Sequence, residues 1–235
     1  MLAVAALIGS VARIPVPQVT GIVEKVSNTV LTSSGISQSS AQAKFGTTSI
    51  TGNGTNTLQF NYPSGIQTSS QDVTVEFWAY TSSSSSGPWA VQLANQLNGA
   101  GQAISWGLGN GGTGYFAGSD TTGTYASQSN PSNTTNTWTH YAFWTNTVNY
   151  TVWVNGTVQL NNYSWPYVAP DDYRQTVSKF YVELLGWKQY SNYTSGIYLD
   201  DIRVSTGNRY SGANYTVPST RTAVDGTTLI LIQSV

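Results

Sequence analysis

The sequence predicts an all-β protein, and two observations favour this class. Apolar runs typical of strands continue from about Val23 to the C-terminus, and Gly, Ser, Asn and Pro residues separate them. No segment of about ten residues or more shows the 3.6-residue apolar period of an amphipathic helix. The 235 residues include no cysteine, so the core is built without disulfides or thiolate metal sites. A chain of this length can bury enough surface to make such a core stable.

The first twenty residues differ from the rest of the chain. They are rich in apolar side chains and end in the stiff connector Ile14–Pro17. The segment resembles the apolar part of a signal peptide, but no basic residue precedes its apolar run, and it is too short to span a bilayer. We predict an arm and linker over residues 1–20 that docks on a partner, and a β domain over residues 21–235. The predicted docking side chains are Leu2, Val4, Leu7, Ile8, Val11 and Ile14.

The first strand with a clear face is Asp72–Tyr80. Its alternation places Val73, Val75, Phe77 and Ala79 on one side, which we expect to be the core side. The segment Thr81–Gly87 follows and contains five serines. Serine-rich segments of this kind are typical of exposed connections, so the sequence predicts a surface loop here.

The middle of the chain predicts a meander. Trp138–Trp144 and Val148–Val154 have the composition of adjacent strands, and Asn155-Gly156 before Thr157–Leu160 is a strong signal for a type I′ hairpin turn. The preceding Gly- and Ser-rich region predicts only short strands, around Ile104–Trp106 and Tyr115–Ala117. The continuous apolar run Thr227–Ile232 predicts a last strand covered on both faces, which would pair with residues near the start.

The segment Gly196–Ser205 predicts a strand with a defect. Leu199, Ile202 and Val204 do not alternate strictly, so one face can hold all three only if the strand slips by one residue at Asp200-Asp201. We interpret this slip as a β-bulge. With the bulge, Asp201 and Arg203 share the opposite face, where we expect them to form a charge pair.

Several of these segments carry a family likeness. In chain order they are Ser40–Gly46, Val73–Trp78, Trp138–Ala142, Val154–Gly156, Asp200–Val204, Arg209-Tyr210 and Val217-Pro218. Each is weak alone, but in this order they resemble the laminin-G-like, concanavalin-A-like jelly rolls found in bacteriophage virion proteins. The likeness spans roughly Asn28 to Leu231. It implies an antiparallel jelly-roll β-sandwich used for binding or assembly, with no chemistry carried by the fold itself.

Composition narrows the function classes. Only 8% of the residues are charged and the net charge is −1, so no basic footprint for nucleic acid or an anionic membrane surface exists. Eight tryptophans and fifteen tyrosines are more than one core of this size needs. Many stand in loop-like contexts, where aromatic side chains contact partner proteins or stack on sugar rings. The candidate contact residues are Trp89, Tyr115, Trp165, Tyr167 and Tyr190.

Three other groups of residues are candidate sites. His140 is the single histidine, and without a serine or cysteine elbow it is best interpreted as a packed structural residue. Glu76 and Glu183 are the two carboxylates that could meet across one sheet, as a glycoside hydrolase requires. Calcium is a further alternative at Asp171-Asp172 or Asp200-Asp201, although neither pair lies in a ligand-dense loop, and a turn and a bulge explain them more simply.

The sequence therefore predicts a non-enzymatic structural protein of a bacteriophage virion, located on the capsid or in the tail or a fibre. Its predicted partners are other virion proteins, through homo-oligomeric or lattice contacts, and no catalytic residue, cofactor, nucleic acid or membrane span is assigned. The alternative is a carbohydrate-binding module that recognises cell-surface glycans, with calcium as an open possibility. A glycoside hydrolase ranks third.

Overall fold

The computed structural model describes residues 21–61, 72–86, 89–94, 103–108, 114–119, 125–130, 134–146, 149–164, 181–188 and 191–235. Over these residues the backbone forms β-strands and their connections, with no α-helix. The all-β prediction is thereby confirmed. The predicted arm, residues 1–20, lies outside the described residues.

The described residues contain eighteen strands. In chain order they are β1 (Ile22–Glu24), β2 (Thr29–Leu31), β3 (Ile36–Ser39), β4 (Ser49–Asn53), β5 (Leu58–Asn61), β6 (Val73–Ser86), β7 (Trp89–Ala94), β8 (Ala103–Leu108), β9 (Gly114–Ser119), β10 (Tyr125–Asn130), β11 (Trp138–Thr145), β12 (Asn149–Val154), β13 (Thr157–Ser164), β14 (Tyr181–Leu184), β15 (Gly186–Trp187), β16 (Asn192–Tyr193), β17 (Ser195–Thr206) and β18 (Thr228–Ser234).

These strands form two large antiparallel sheets and one short hairpin. The larger sheet has the order β13-β12-β11-β6-β17-β18-β1-β2, with β4 paired to β17 and β3 paired to β4. The smaller sheet has the order β10-β9-β8-β7-β14-β5, and β15 pairs with β16. β18 pairs with β1, which confirms that the last strand meets the start of the domain.

The main core lies between the two large sheets. Val75, Phe77 and Ala79 of β6 belong to one buried cluster together with side chains of the smaller sheet such as Val91 and Val182. Val73 is also buried, so the predicted core face of this strand is confirmed. The larger sheet carries a second buried cluster, whose side chains point away from the main core. It is built on Ala142, Trp144 and Trp153.

The predicted bulge is present in β17. Its register with β6 shifts between Asp200 and Arg203, and Asp201 has a φ of 48°. Before the bulge β17 pairs with β4, and after it β17 pairs with β18. Leu199, Ile202 and Val204 all enter the main core as a result.

The predicted surface loop after Tyr80 is wrong. β6 continues to Ser86, and Thr81 is buried and pairs with Ile197 of β17. The serines are weak strand formers, but β17 is long enough to supply hydrogen-bonding partners beyond the apolar part of β6. Pairing with a neighbouring strand overrides local propensity here.

The predicted meander and hairpin are confirmed. β11 pairs with β12, β12 pairs with β13, and Asn155 and Gly156 connect the latter pair with φ values of 48° and 74°. Two positive φ angles in a two-residue turn define the type I′ hairpin. A Cβ added to Gly156 would lie 2.0 Å from the carbonyl oxygen of Tyr215, so this turn is also a point of close backbone approach.

Replacing Gly156 with alanine should therefore destabilise the fold more than the same change at Gly207. Both glycines have positive φ, 74° and 80°, so both substitutions carry the cost of that backbone conformation. Only the substitution at Gly156 adds a steric clash, because among the described residues no atom lies within 4 Å of a Cβ at Gly207. We expect Gly156→Ala to lower the free energy of unfolding by about 1–3 kcal/mol more than Gly207→Ala in urea denaturation. Equal losses would contradict this packing.

Candidate functional site

The connection from β17 to β18 covers the face of the larger sheet that points away from the main core. We call residues Gly207–Thr227 the strap. Trp153 donates from Nε1 to the carbonyl oxygen of Ala213 at 2.8 Å, and the Tyr215 amide donates to the carbonyl oxygen of Gly156 at 2.9 Å. Tyr210 and Tyr215 pack on the second buried cluster and stack on each other with ring centroids 3.5 Å apart. The strap is therefore packed on the sheet and is not a free surface loop.

An ion pair beneath the strap joins it to the sheet. Glu76 of β6 and Arg203 of β17 are direct cross-strand partners, and their side chains are 2% and 6% exposed. Arg203 donates from Nε and Nη2 to Oε1 of Glu76, and the Tyr210 hydroxyl donates to Oε2. The two charges and the phenol satisfy one another away from water, where an unpaired charge would cost several kcal/mol.

The bulge carboxylates form a second group of buried contacts. Asp200 accepts a hydrogen bond from the Phe45 amide at 3.1 Å, and Asp201 accepts one from the Thr222 amide at 2.6 Å. Arg221 of the strap places Nη1 3.6 Å from Asp200 and 3.8 Å from Asp201. Burial raises the pKa of Asp200 to about 6, although the Arg221 charge opposes this shift. The contacts of Thr222 and Arg221 attach the second half of the strap to β17.

The predicted charge pair between Asp201 and Arg203 is wrong. The bulge does place both residues away from the main core, but Asp201 faces Thr222 and Gln233, whereas Arg203 reaches Glu76. Cross-strand neighbours lie opposite each other at about 5 Å, closer than side chains two residues apart on one strand. The cross-strand partner therefore takes the arginine.

His140 is a packed structural residue, as predicted. Its Nδ1 shares a 2.7 Å hydrogen bond with the Tyr215 hydroxyl, and its ring packs against Trp78 at 5.0 Å between centroids. Burial, assisted by the Lys44 charge, lowers the pKa of His140 to about 3. The imidazole is therefore neutral at physiological pH and closes the space between sheet and strap.

An open pocket lies where the strap leaves β17 and where it returns to β18. It has a volume of about 690 Å³. Arg209 spans it, donating from Nη1 to Thr227 Oγ1 at 2.8 Å and from Nη2 to Asp225 Oδ2 at 2.9 Å. The Asp225 side chain is 40% exposed. Burial works against its ionisation, but hydrogen bonds from Thr227 and Arg209 outweigh that effect and hold the pKa of Asp225 below its ordinary value. Arg203, Asn208, Tyr210, Thr216 and Pro218 complete the principal lining.

Of the five predicted aromatic contact residues, the structure describes the side chain of Trp89. Trp89 is only 6% exposed and packs edge-on against Trp187, so its assignment as a surface contact is wrong. It begins strand β7, which the sequence did not predict, and its indole is buried there. Tyr115 lies on β9 and pairs with Gly107 of β8. The structure describes its backbone but not its side chain. Trp165, Tyr167 and Tyr190 lie outside the described residues.

The two glutamates considered for hydrolysis do not meet. Glu76 belongs to the larger sheet, whereas Glu183 belongs to β14 of the smaller one. Glu183 accepts hydrogen bonds from Thr57 Oγ1 at 2.8 Å and from the Lys188 amide at 2.9 Å, and burial raises its pKa. Within the described ranges no three His, Asp or Glu side chains are grouped to hold a metal ion. Asp171-Asp172, the other calcium alternative, lies outside them.

Comparisons with known proteins support the fold. No protein-family model matches the chain, and no curated protein matches it either. Among solved structures, the enzymatically active domain of tailspike protein 2 from bacteriophage CBA120 is similar over 96% of this chain, with a TM-score of 0.58 and 10% identity. The full-length tailspike protein 2 is similar over 94% of this chain, with a TM-score of 0.55 and 10% identity.

Domain 4 of AbnA, a GH43 extracellular arabinanase from Geobacillus stearothermophilus, was solved in complex with arabinotriose. It is similar over 74% of this chain and 77% of its own, with a TM-score of 0.51 and 16% identity. This chain spans only 34% and 30% of the two tailspike chains. These likenesses, together with the two antiparallel sheets, confirm the jelly-roll fold that the sequence resemblance implied. Among the residues described, none forms a helix long and apolar enough to cross a membrane.

The buried ion pair gives a stability prediction. Glu76→Leu or Arg203→Met alone leaves one charge buried without its partner, and each should lower the free energy of unfolding by about 3–5 kcal/mol. The double variant removes both charges, so its loss should be smaller than the sum of the single losses by about 1–3 kcal/mol. Urea denaturation followed by tryptophan fluorescence measures all three. Strict additivity would show that the two side chains do not interact.

His140 gives a pH prediction. Its folded-state pKa of about 3 is below the ordinary value, so the unfolded chain takes up the proton first as the pH falls. The contribution of His140 to stability is therefore complete above about pH 6.5 and is lost progressively as the pH falls toward 3. The single histidine can be followed by NMR. Its imidazole signals should stay constant from pH 7.5 to pH 4.5 in the native protein and titrate near pH 6.5 in urea. Native-state titration near pH 6 would contradict this burial.

Proposed function

We propose that this chain is a non-enzymatic structural module of a bacteriophage virion, placed on the capsid or in the tail, that acts through contacts with other virion proteins. The observation that carries the proposal is the similarity of 96% of the chain to part of a phage tailspike. The low charge supports it further, because 8% charged residues suit a surface buried against neighbouring subunits.

The non-enzymatic part of the proposal draws its support from the described acidic residues. Five of the acidic residues that the structure describes are buried, and each hydrogen-bonds or ion-pairs with the fold around it: Glu24, Glu76, Glu183, Asp200 and Asp201. The other two described acidic residues are the half-buried Asp72 and the exposed Asp225, which pairs with Arg209. The glutamate pair that a hydrolase would need is divided between the two sheets. The single histidine is sealed against Tyr215. These groups hold the sandwich together, which is the behaviour expected of structural residues.

The assembly contact that we propose is the apolar arm, residues 1–20, in which Leu2, Val4, Leu7, Ile8, Val11 and Ile14 would be buried on a neighbouring virion protein. Gly21, the first described residue, exchanges two backbone hydrogen bonds with Val235, at 2.8 and 2.9 Å. β1 begins next to Gly21 and pairs with β2, the edge strand of the larger sheet. Val26 and Val30 are exposed in this hairpin, at 46% and 48%. The chain therefore enters the sandwich next to apolar surface that a neighbour could cover.

Charged substitutions in the arm test this proposal. Leu7→Asp with Ile8→Asp should abolish incorporation of the full chain into particles, because each buried apolar side chain contributes about 1.5–3 kcal/mol. The control, Leu7→Ile with Ile8→Leu, keeps the apolar area and should incorporate normally. The measurement is the amount of the protein in purified particles, with the melting temperature as a check on folding. Normal incorporation of the charged variant would refute the arm contact.

A second candidate function is binding of cell-surface glycans, either alone or together with the structural role. Two observations favour it. Domain 4 of the arabinanase, solved with arabinotriose, shares this fold with a TM-score of 0.51. The pocket beside the strap also presents guanidinium, carboxylate, hydroxyl and amide groups next to Tyr210 and Pro218, which is the mixture of polar and apolar surface that small-molecule sites use.

A further inference from the structure

We infer that the pocket between the end of β17 and the two ends of the strap binds an uncharged saccharide unit. This inference deepens the glycan-binding candidate and rests on it. It locates the site on the strap, whereas the sequence placed it on the aromatic residues Trp89, Tyr115, Trp165, Tyr167 and Tyr190. The charge, the shape and the rigidity of the lining favour such a ligand.

The charges at the pocket cancel. Arg203 and Arg209 supply two positive charges, while Glu76 lies against Arg203 and Asp225 accepts from Arg209 at 2.9 Å. An anionic sugar would find both guanidinium groups already paired with carboxylates. A neutral sugar needs donors and acceptors side by side, because each of its hydroxyls both donates and accepts. The guanidinium of Arg209 and the exposed carboxylate of Asp225 offer that alternation.

The shape suits a small ligand. The volume of about 690 Å³ lies within the range of roughly 300–1,000 Å³ that small-molecule sites occupy. Gly207 adds accessible backbone to the lining, since no atom of the described residues lies within 4 Å of the position of its missing Cβ. Thr216 is exposed at the wall, and Tyr210 and Pro218 add apolar surface against which a sugar ring can rest.

One polar atom of the lining lacks a partner. Asn208 Oδ1 is buried without a hydrogen bond. A buried acceptor without a partner is unfavourable, so rotation of the Asn208 side chain toward a ligand hydroxyl would be favoured. The backbone carbonyl of the same residue accepts from Ser211, so the Asn208 backbone is held by its own turn. The ligand would therefore meet an acceptor whose backbone is already in place.

The rest of the lining is rigid. Arg203 and Tyr210 are both bound to Glu76. Asp225 accepts from the amide and hydroxyl of Thr227 at 2.9 and 2.7 Å. A site held in place before binding loses little conformational entropy when the ligand arrives. The buried pair beneath the strap thus fixes the positions of Arg203 and Tyr210 in the pocket lining.

The test uses the full 235-residue chain on an array of neutral and acidic oligosaccharides that includes arabinotriose and bacterial surface glycans. We expect binding to neutral glycans. Thr216→Trp should fill the pocket from its exposed wall and weaken that binding at least tenfold. Thr220→Trp is the matched control, because Thr220 is exposed on the same strap but is not part of the lining. It should bind as the unmodified chain does, and equal melting temperatures would show that both variants fold.

The outcomes separate the two levels of the proposal. Unchanged neutral-glycan binding by Thr216→Trp would overturn the pocket assignment and leave glycan binding standing. Binding restricted to acidic glycans would overturn the uncharged ligand. A chain that binds no glycan on the array would overturn the glycan-binding candidate and the pocket inference together. Selective loss in Thr216→Trp, with Thr220→Trp unaffected, supports both.

Discussion

The carboxylate of Glu76 organises the face of the larger sheet that points away from the main core. It accepts from Arg203 on the neighbouring strand and from Tyr210 on the strap, so one buried group joins two strands and a long connection. Such a pair adds little net stability compared with well-packed apolar residues, but it tolerates no other arrangement, because each unpaired charge would be penalised. We attribute to it the position of the strap and, through the strap, the position of the pocket.

The ion pair depends in turn on the bulge at Asp200-Asp201. In a regular strand Leu199 and Arg203 would share a face, since they are four residues apart. Leu199 is in the main core, so the arginine would point into the core as well. The extra residue reverses the alternation once, which sends Ile202 and Val204 inward and Arg203 outward to Glu76. The bulge also divides β17 between β4 and β18.

Local patterns predicted those parts of the fold that local physics decides. Three patterns of only a few residues each were enough to predict the local structure: the alternation in Val73–Ala79, the Asn155-Gly156 turn and the slip at Asp200-Asp201. The features that sequence missed depend on distant partners. Arg203 lies 127 residues from Glu76, and Thr81–Ser86 is a strand only because β17 extends beside it. The strap has no strand pattern of its own, although its Arg209-Tyr210 motif was visible as part of the family likeness.

Closing the outer face of the larger sheet restricts where partners can bind. With the main core on one face and the strap on the other, the middle of this sheet cannot accept a neighbour, so contacts that involve this sheet must use its edge strands or the rim of the strap. The edge strand β13 has an irregular register with β12 and a positive φ at Asn162. Both features discourage pairing of this edge with another chain. At the opposite end, Val30 of β2 is exposed beside Gly21, where the proposed arm would join the sandwich. The two proposed contacts would lie apart, because Gly21 pairs with Val235 after the end of β18, whereas the pocket is lined by Thr227, before β18 begins. A subunit held by the proposed arm would therefore leave the pocket open to a glycan.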